Sequence, residues 1–582
     1  MPRLFPSLQG YRRGWLRGDV IAGLTVWAVL VPEALAYASI AGVSPVVGLY
    51  AAPGALLLYA ALGSSRHLVT GPMSATAALS AATVGALVAG SGDRFVAMTA
   101  ALGIVVGLTA LLAGLLRLGF LASFISEPVI KGFIVGLALT IIAGQVPKLL
   151  GVDKHAGDFF EQMWGVITEL GDVHGLTLLI GVGSLAVVLG LRRVAPAIPA
   201  SLVAVALGVV AVEAFDLDQH GLEIVGHIDS GLPSLGAPDV SLHDVGALVA
   251  GAVGVMLVGF AEGLGAAKTY AARHHYEIDA NRELLGLGGA NLAAGLSSGM
   301  VVNGSLSKTA VNGSAGAHTQ LSGLLVAVLT VVTLLLLTGL FESLPEATLA
   351  AIVIAAVIEL VDVAALRRLY RLTMAPGAGP LALAARPDFI AALAALLGVL
   401  IFDTLPGLFI GIGVSLLLLL YRASRPHIAR LGRVPGGTGQ YADLERHPGN
   451  AAPDGVAVLR VEGGLFFANA DAIRARLLAA AGEDGIHTVV LDAETMPFVD
   501  ATAAAMLLQV RDDLQRRGVA LLLARDVASV RDLLRRAGAD PDLIEVHRSV
   551  QEAVEAASDP ARRGSPSAGD GRPRARAGRS EP

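Results

Sequence analysis

Thirteen apolar stretches recur along the chain, near residues 18–40, 45–62, 71–89, 95–116, 125–146, 174–191, 199–214, 245–264, 284–298, 319–340, 344–361, 388–403 and 406–421. A helix needs about 20 apolar residues to cross a bilayer, and backbone in lipid must satisfy its own hydrogen bonds. The pattern predicts a polytopic α-helical membrane protein. Composition agrees: 54% of the 582 residues are hydrophobic and 15% are charged, where soluble domains carry about a quarter charged. Aromatics are scarce, so Ala, Val, Leu and Gly supply the apolar surface, and small residues let spanning helices pack closely. The chain has no cysteine, which excludes disulfides and thiolate chemistry. A net charge of −6 gives no footprint for a nucleic-acid partner. The opening "MPRLFPSLQGYRRGWLRGD" leads into a long helix and lacks the layout of a cleaved signal.

Charge tests the count. Basic residues cluster at Arg12/Arg13/Arg17, Arg66, Arg117, Arg192/Arg193, Lys268/Arg273, Arg367/Arg368/Arg371 and Arg422/Arg425. Cytoplasmic loops carry the excess of Lys and Arg. All these clusters fall on one side only if the small, polar stretch 303–315 is a fourteenth, partial crossing. Both termini are then cytoplasmic, and the plasma membrane is the expected location. The first seven crossings fill 18–214 after a cytoplasmic N-terminus, 1–17. The loop 215–244 has acids but no Lys or Arg, and falls outside. The second seven fill 245–424.

Beyond a linker at 425–452, short β-type runs (456–461, 488–492, 519–523) alternate with amphipathic helical runs. That predicts a small cytoplasmic α/β domain over 453–557. The Pro/Gly/Arg-rich tail, 558–582, is expected to be disordered.

The polar stretch is half of a pair. "VTGPMSATA" (69–77) aligns with "VNGSLSKTA" (302–310) at five of nine positions, with an offset of 233. The first opens the third crossing and the second opens the tenth, the third of its own half. Both start with Gly followed by Pro or Ser, a helix-start signature. A helix N-terminus offers free N–H groups and roughly half a positive charge. Two such ends brought together by an inverted repeat make an anion site. Ser74, Ser305 and Ser307 would add hydroxyls. Lys308, where the first half has Ala75, would add a full charge at a cost of at least about 2.5 kcal/mol in mid-membrane. The plainer reading is close helix packing, with Lys308 snorkelling to an interface.

Two carboxylates sit inside apolar segments, Glu33 in "VLVPEALAYA" and Glu262 in "LVGFAEGLGAAK". Each lies in the first helix of its half. An intramembrane acid is a functional candidate by default, and an acid kept from water holds its proton more readily. Glu262 is therefore the proton-coupling candidate. Pairing with a helix end or with Lys308 is the structural alternative. Pro32 is expected to break the first helix beside Glu33.

"VPEALAYASIAGVSPVVGLYAA" (31–52) and "FISEPVIKGFIVGLALTIIAGQVPKLLG" (124–151) resemble blocks of the SulP family of anion transporters, and the terminal domain resembles their STAS domain. The resemblance runs over about residues 10–557. It implies fourteen transmembrane segments in a seven-plus-seven inverted repeat, with a core and a gate domain, a cytoplasmic α/β STAS domain, and a homodimer. It implies an anion held by Gly71, Pro72, Met73 and Ser74 at helix three, and by Gly304, Ser305, Leu306, Ser307 and Lys308 at helix ten. Glu33 and Tyr37 of helix one complete that set. Many relatives carry Gln at the position of Glu33. Sodium-coupled members carry Asp at the position of Glu262 and Thr a turn later. Ala266 stands there in this chain, which favours protons over sodium. In the STAS domain "FVDATAAAM" (498–506) matches the loop that carries a phosphorylatable serine in soluble relatives, which makes Asp500 and Thr502 regulatory candidates. A phosphate on Thr502 at a helix start is compatible with the dipole; the plainer role for Thr502 is a helix cap.

The expectation is a secondary transporter of a small anion, moved with protons by an elevator-like shift, with sulfate leading and bicarbonate or a C4-dicarboxylate as rivals. A membrane-anchored STAS signalling protein is the alternative of another class, and nucleobase carriers share the helix plan. No catalytic triad, metal-ligand cluster or nucleotide loop is seen, and "GSLSK" lacks the Walker spacing. No enzyme activity, cofactor or metal is expected.

Overall fold

The computed structural model describes residues 4–558 apart from 89–91, 121–125, 154, 156, 196–197, 229, 359–360, 375–378, 403, 438 and 537–545. The tail from 559 onward, expected to be disordered, lies outside the described residues. The chain divides into two units, Met1–Leu416 and Leu417–Pro582.

The first unit is helical. Its first half runs α1 (Leu16–Ile40), α2 (Pro45–Leu62), the short strand β1 (Val69–Gly71), α3 (Ser74–Gly85), α4 (Asp93–Leu115), α5 (Glu127–Leu150), α6 (Phe159–Thr168), α7 (Gly175–Val194) and α8 (Ala200–Phe215). The second half runs α9 (Leu242–Arg273), α10 (Ala280–Leu296), β2 (Asn303–Ser305), α11 (Leu306–Ser314), α12 (Leu321–Val332), α13 (Glu346–Ile358), α14 (Val363–Met374), α15 (Gly379–Phe402) and α16 (Thr404–Ala423), whose end enters the second unit. A π turn at Thr333–Leu337 and a 3-10 turn at Thr338–Phe341 continue α12. Among the described residues, eight helices are long and apolar enough to cross a membrane, and two shorter apolar helices, Ala200–Phe215 and Glu346–Ile358, accompany them. Each expected crossing coincides with a helix. The short helices α6 and α14 lie between crossings, because their one-sided apolar patterns suit a surface rather than a span.

Packing exchanges the two halves. Helix α1 packs on α12 as α9 packs on α4, α1 meets α11 as α9 meets α3, and α5 meets α15 as α13 meets α7. That reciprocity is what an inverted repeat requires. Close approach rests on small residues: a Cβ at Gly107 of α4 would come within 2.6 Å of the Leu292 backbone nitrogen on α10. Pro32 does not break α1, which runs unbroken through it. A proline removes one backbone bond, and the surrounding helices hold the segment in place.

Among the described residues, three acids are buried in these helices, Asp19, Glu33 and Glu283. Glu33 was singled out in the sequence, whereas Asp19 and Glu283, both at helix starts, were not. Asp19 accepts hydrogen bonds from the His318 amide (2.6 Å), the Thr319 amide (3.1 Å) and the Thr319 hydroxyl (2.8 Å), and so ties α1 to the segment before α12. Glu283 accepts from the Tyr59 hydroxyl (2.6 Å), the Ser64 amide (2.8 Å) and hydroxyl (2.7 Å), and the Ser65 amide (3.0 Å). It thereby ties α10 to the turn that leads into β1. Glu262, the other acid singled out in the sequence, is only part-buried.

The second unit is a six-stranded sheet in the order β4-β3-β5-β6-β7-β8. Its strands are β3 (Ile428–Arg433), β4 (Tyr441–Asp443), β5 (Val456–Val461), β6 (Thr488–Asp492), β7 (Ala520–Ala524) and β8 (Val546–His547). Strands β5 to β8 are parallel, while β3 pairs antiparallel with both β4 and β5. The stretch 425–452, read from the sequence as a linker, thus supplies two strands. Helices α17 (Ala470–Ala481), α18 (Ala501–Arg516), α19 (Ala528–Arg536) and α20 (Val550–Ser558) complete the domain. Ala457 and Leu459 face the core with α17 and α18, while Val456 and Val458 face the core with α20. Both sheet faces are covered, which explains the consecutive apolar residues Val456–Leu459 of β5 and Val489–Leu491 of β6.

Candidate anion-binding site

The two repeat copies lie side by side. Strands β1 and β2 pair antiparallel, with Val69 opposite Ser305, Thr70 opposite Gly304 and Gly71 opposite Asn303. Each strand runs into a short helix, α3 through Pro72 and Met73, and α11 directly. The antiparallel ladder sends the helices away in opposite senses and leaves their N-termini close to the shared strands. Met73 occupies the cap of α3 in an extended conformation without a side-chain cap bond. Ser305 caps α11, its hydroxyl accepting from the Lys308 amide at 3.2 Å. Its oxygen also lies 3.1 Å from the Ser307 hydroxyl. Gly71, Pro72, Met73, Ser74, Gly304 and Ser305 are buried, whereas Leu306 and Ser307 are exposed and form the open side.

Lys308 joins three elements. Its Nζ is 2.8 Å from Glu33 Oε2 on α1. It donates to the Pro72 carbonyl at 3.2 Å and lies 5.0 Å from the centre of the Tyr37 ring. The Glu33 contact is close but off-axis, since Oε2 gains no aligned hydrogen bond. Electrostatically, the lysine and glutamate cancel, and the two helix starts keep their partial positive charges. The snorkelling alternative for Lys308 does not hold in this conformation, because the ammonium turns inward to Pro72 and Glu33 rather than out to an interface.

Glu262 belongs to a neighbouring cluster. Its Oε2 accepts from Asn303 Nδ2 at 3.3 Å, and Asn303 Oδ1 accepts from the Gly304 amide at 2.7 Å. Gly263 on α9 lets this strand lie close, since a Cβ there would sit 3.3 Å from Asn303 Oδ1. The structure therefore groups Glu33, Tyr37, Pro72, Ser305 and Lys308, and links Glu262 to them only through the strand residues Asn303 and Gly304.

Several supporting residues escaped the sequence reading. Thr309 Oγ1 accepts from the Val69 amide at 3.1 Å and donates to the Ser305 carbonyl, which locks β1 to α11. Asn291 of α10 exchanges two bonds with Val302, donating to its carbonyl at 3.0 Å and accepting from its amide at 2.9 Å. Asn312 donates to the His67 carbonyl at 2.9 Å. Polar residues at mid-segment were the available signal, but their partners lie far away in sequence.

In the second unit Asp500, not Thr502, caps α18. Its Oδ1 accepts from the Ala503 amide and Oδ2 from the Phe467 amide, both at 2.8 Å. Asp500 has the extended backbone a cap requires, whereas Thr502 lies inside the first turn with its side chain exposed.

Residues 16–375 match the sequence model of the sulfate permease family, and residues 447–553 match the STAS domain. The chain belongs to the sulfate permease family. Among its curated relatives, a protein named as a probable sulfate transporter of Mycobacterium tuberculosis is 39% identical over 529 residues, covering 90% of this chain and 92% of that one. High affinity sulfate transporter 1 of Stylosanthes hamata is 31% identical over 552 residues, covering 90% of this chain and 80% of its own. The fold of this permease-family chain matches a solved structure of SLC26A9 with a TM-score of 0.86 at 20% identity, covering 96% and 93% of the two chains. The transmembrane domain of the cyanobacterial bicarbonate transporter BicA matches with a TM-score of 0.57 at 25% identity, covering 66% of this chain and 97% of that one. These relatives place the chain among multi-pass membrane anion transporters.

Proposed function

We propose that this chain is a secondary active sulfate transporter that moves its anion with protons by an elevator-like shift of one helix group against the other. The observation that carries the reading is Lys308. It stands where two helix starts from opposite repeats meet, held against Glu33 and the Pro72 carbonyl. In the conformation described here, Glu33 satisfies the lysine. A divalent anion bound between Ser74 and Ser305 would compete with Glu33 for that charge. Amides of α3, the serine hydroxyls and Lys308 would then surround the anion. Glu262, linked to the same strand through Asn303, is the group proposed to carry the proton. Sulfate follows from the names of the relatives that cover most of the chain. Fourteen crossings, cytoplasmic termini, a plasma-membrane location and a homodimer belong to the same proposal.

The test is uptake of radiolabelled sulfate, bicarbonate and fumarate by the purified chain in proteoliposomes, with and without a pH gradient. Sulfate accumulation driven by an inward proton gradient is the expected result. Bicarbonate uptake that ignores protons would favour the reading suggested by the BicA match.

A further inference from the structure

Helix α14 carries a cationic stripe with no acidic partner among the described residues. Arg367, Arg368 and Arg371, together with Ala364, are the described lining of a hollow of about 490 Å³. At about 100° per residue these four positions share one arc of the helix. Tyr370 and Leu372, both about half exposed, flank the stripe. The helix packs by its other side on α15 and α5, and Tyr370 meets Phe389 of α15 with ring centres 5.8 Å apart.

Several other cations of this unit are matched by acids. Lys131 lies 2.9 Å from Glu127 and 3.4 Å from Asp362, Lys148 lies 2.8 Å from Glu346, and Lys308 pairs with Glu33. Among the described residues, none of the three arginines has an acid within ion-pair distance. Asp362, the nearest acid in sequence on this segment, is turned to Lys131. Guanidinium groups hold phosphate oxygens in a two-pronged geometry. The helix joins two membrane crossings, so the stripe lies at a membrane surface, and by the topology proposed above that surface is the cytoplasmic one.

We propose that α14 holds the headgroup of an anionic phospholipid. Its phosphate sits among Arg367, Arg368 and Arg371, and its acyl chains run beside Tyr370 and Leu372. Exposed apolar side chains next to the arginines favour a lipid over a soluble phosphate, which would find no use for them. The lining belongs to α14 and shares no residue with the anion site.

The experiment uses the full chain in detergent and in vesicles of phosphatidylcholine with or without phosphatidylglycerol. Native mass spectrometry counts retained phosphatidylglycerol for the wild type, for Arg367→Gln/Arg368→Gln/Arg371→Gln, and for the matching triple Lys variant. The wild type is expected to retain the lipid, with retention falling about fivefold per arginine removed. The Lys variant should keep much of it. Equal retention by the Gln variant overturns the proposal, as does release of the lipid by inorganic phosphate. Anion uptake into phosphatidylcholine vesicles is read in parallel. Uptake that persists while lipid retention is unchanged by the Gln variant defeats only the lipid site, and loss of uptake in every variant and vesicle defeats the transport reading instead.

Discussion

Lys308 Nζ lies 2.8 Å from Glu33 Oε2, with the two side chains only 1% and 4% exposed. The pair joins the first helix of one repeat to the broken helix of the other. Removing one partner of a sealed pair strands the other charge, which costs about 3–5 kcal/mol. Lys308→Ala should therefore destabilise the protein strongly, and Glu33→Gln/Lys308→Ala should recover most of the loss. Thermal unfolding of the four proteins in a double-mutant cycle measures the coupling. Additive effects would show that the two residues do not act as a pair.

Glu262 is expected to behave differently, because it faces Asn303 rather than the lysine. Glu262→Gln should leave sulfate binding measurable and remove the dependence of uptake on a proton gradient. Asn303→Ala should weaken coupling in the same direction by loosening Glu262 from the strand. Uptake by Glu262→Gln that still follows the gradient assigns the proton elsewhere.

At Gly48, α2 comes close to the Glu33 segment. A Cβ there would overlap the carbonyl oxygen of Ala34. Backbone cannot yield as a flexible side chain can, so Gly48→Ala should cost about 1–3 kcal/mol. It should also weaken anion binding by displacing Glu33. Thermal shift and binding read the two effects separately, and a neutral result for both would mean that α1 and α2 part freely.

In the second unit the Arg474 guanidinium, 2.8 Å from Asp513 Oδ2, holds that carboxyl below the usual carboxylate range, helped by Arg516. A carboxyl lowered in the folded state adds stability above its unfolded pKa, and that share is lost as pH falls through the folded value. Asp513→Asn should lower protection of α18 at neutral pH by a small amount, and the difference should vanish in acid. Hydrogen exchange of the full chain at several pH values checks it.

Much of this architecture was legible in the sequence because lipid and sheet periodicity leave strong patterns. The apolar runs located the helices, and 456–461 and 488–492 located two strands with the bounds the structure gives. The match of "TGPMSATA" to "NGSLSKTA" brought the two broken helices together, and β1 pairs with β2 at those residues. Pair partners were less legible. Pairing with Lys308 was the structural alternative for both acids, but nothing local in "VLVPEALAYA" says that Glu33, 275 positions away (308 − 33), is the one that meets it. Asp19 and Glu283 were missed for a related reason. They sit at helix starts, where acids are ordinary, and only tertiary packing seals them. Strand β3 was missed because "IARLGR" interrupts its apolar residues with two arginines and a glycine.

The central claim is that the anion sits between the two helix starts beside Lys308. Its most direct measurement is sulfate affinity by calorimetry for the wild type and for Glu33→Gln/Lys308→Ala, the charge-balanced variant expected to fold. Loss of a charge-assisted contact predicts affinity at least about tenfold weaker in the variant. Equal affinity in the two proteins would contradict the account and place the anion away from Lys308.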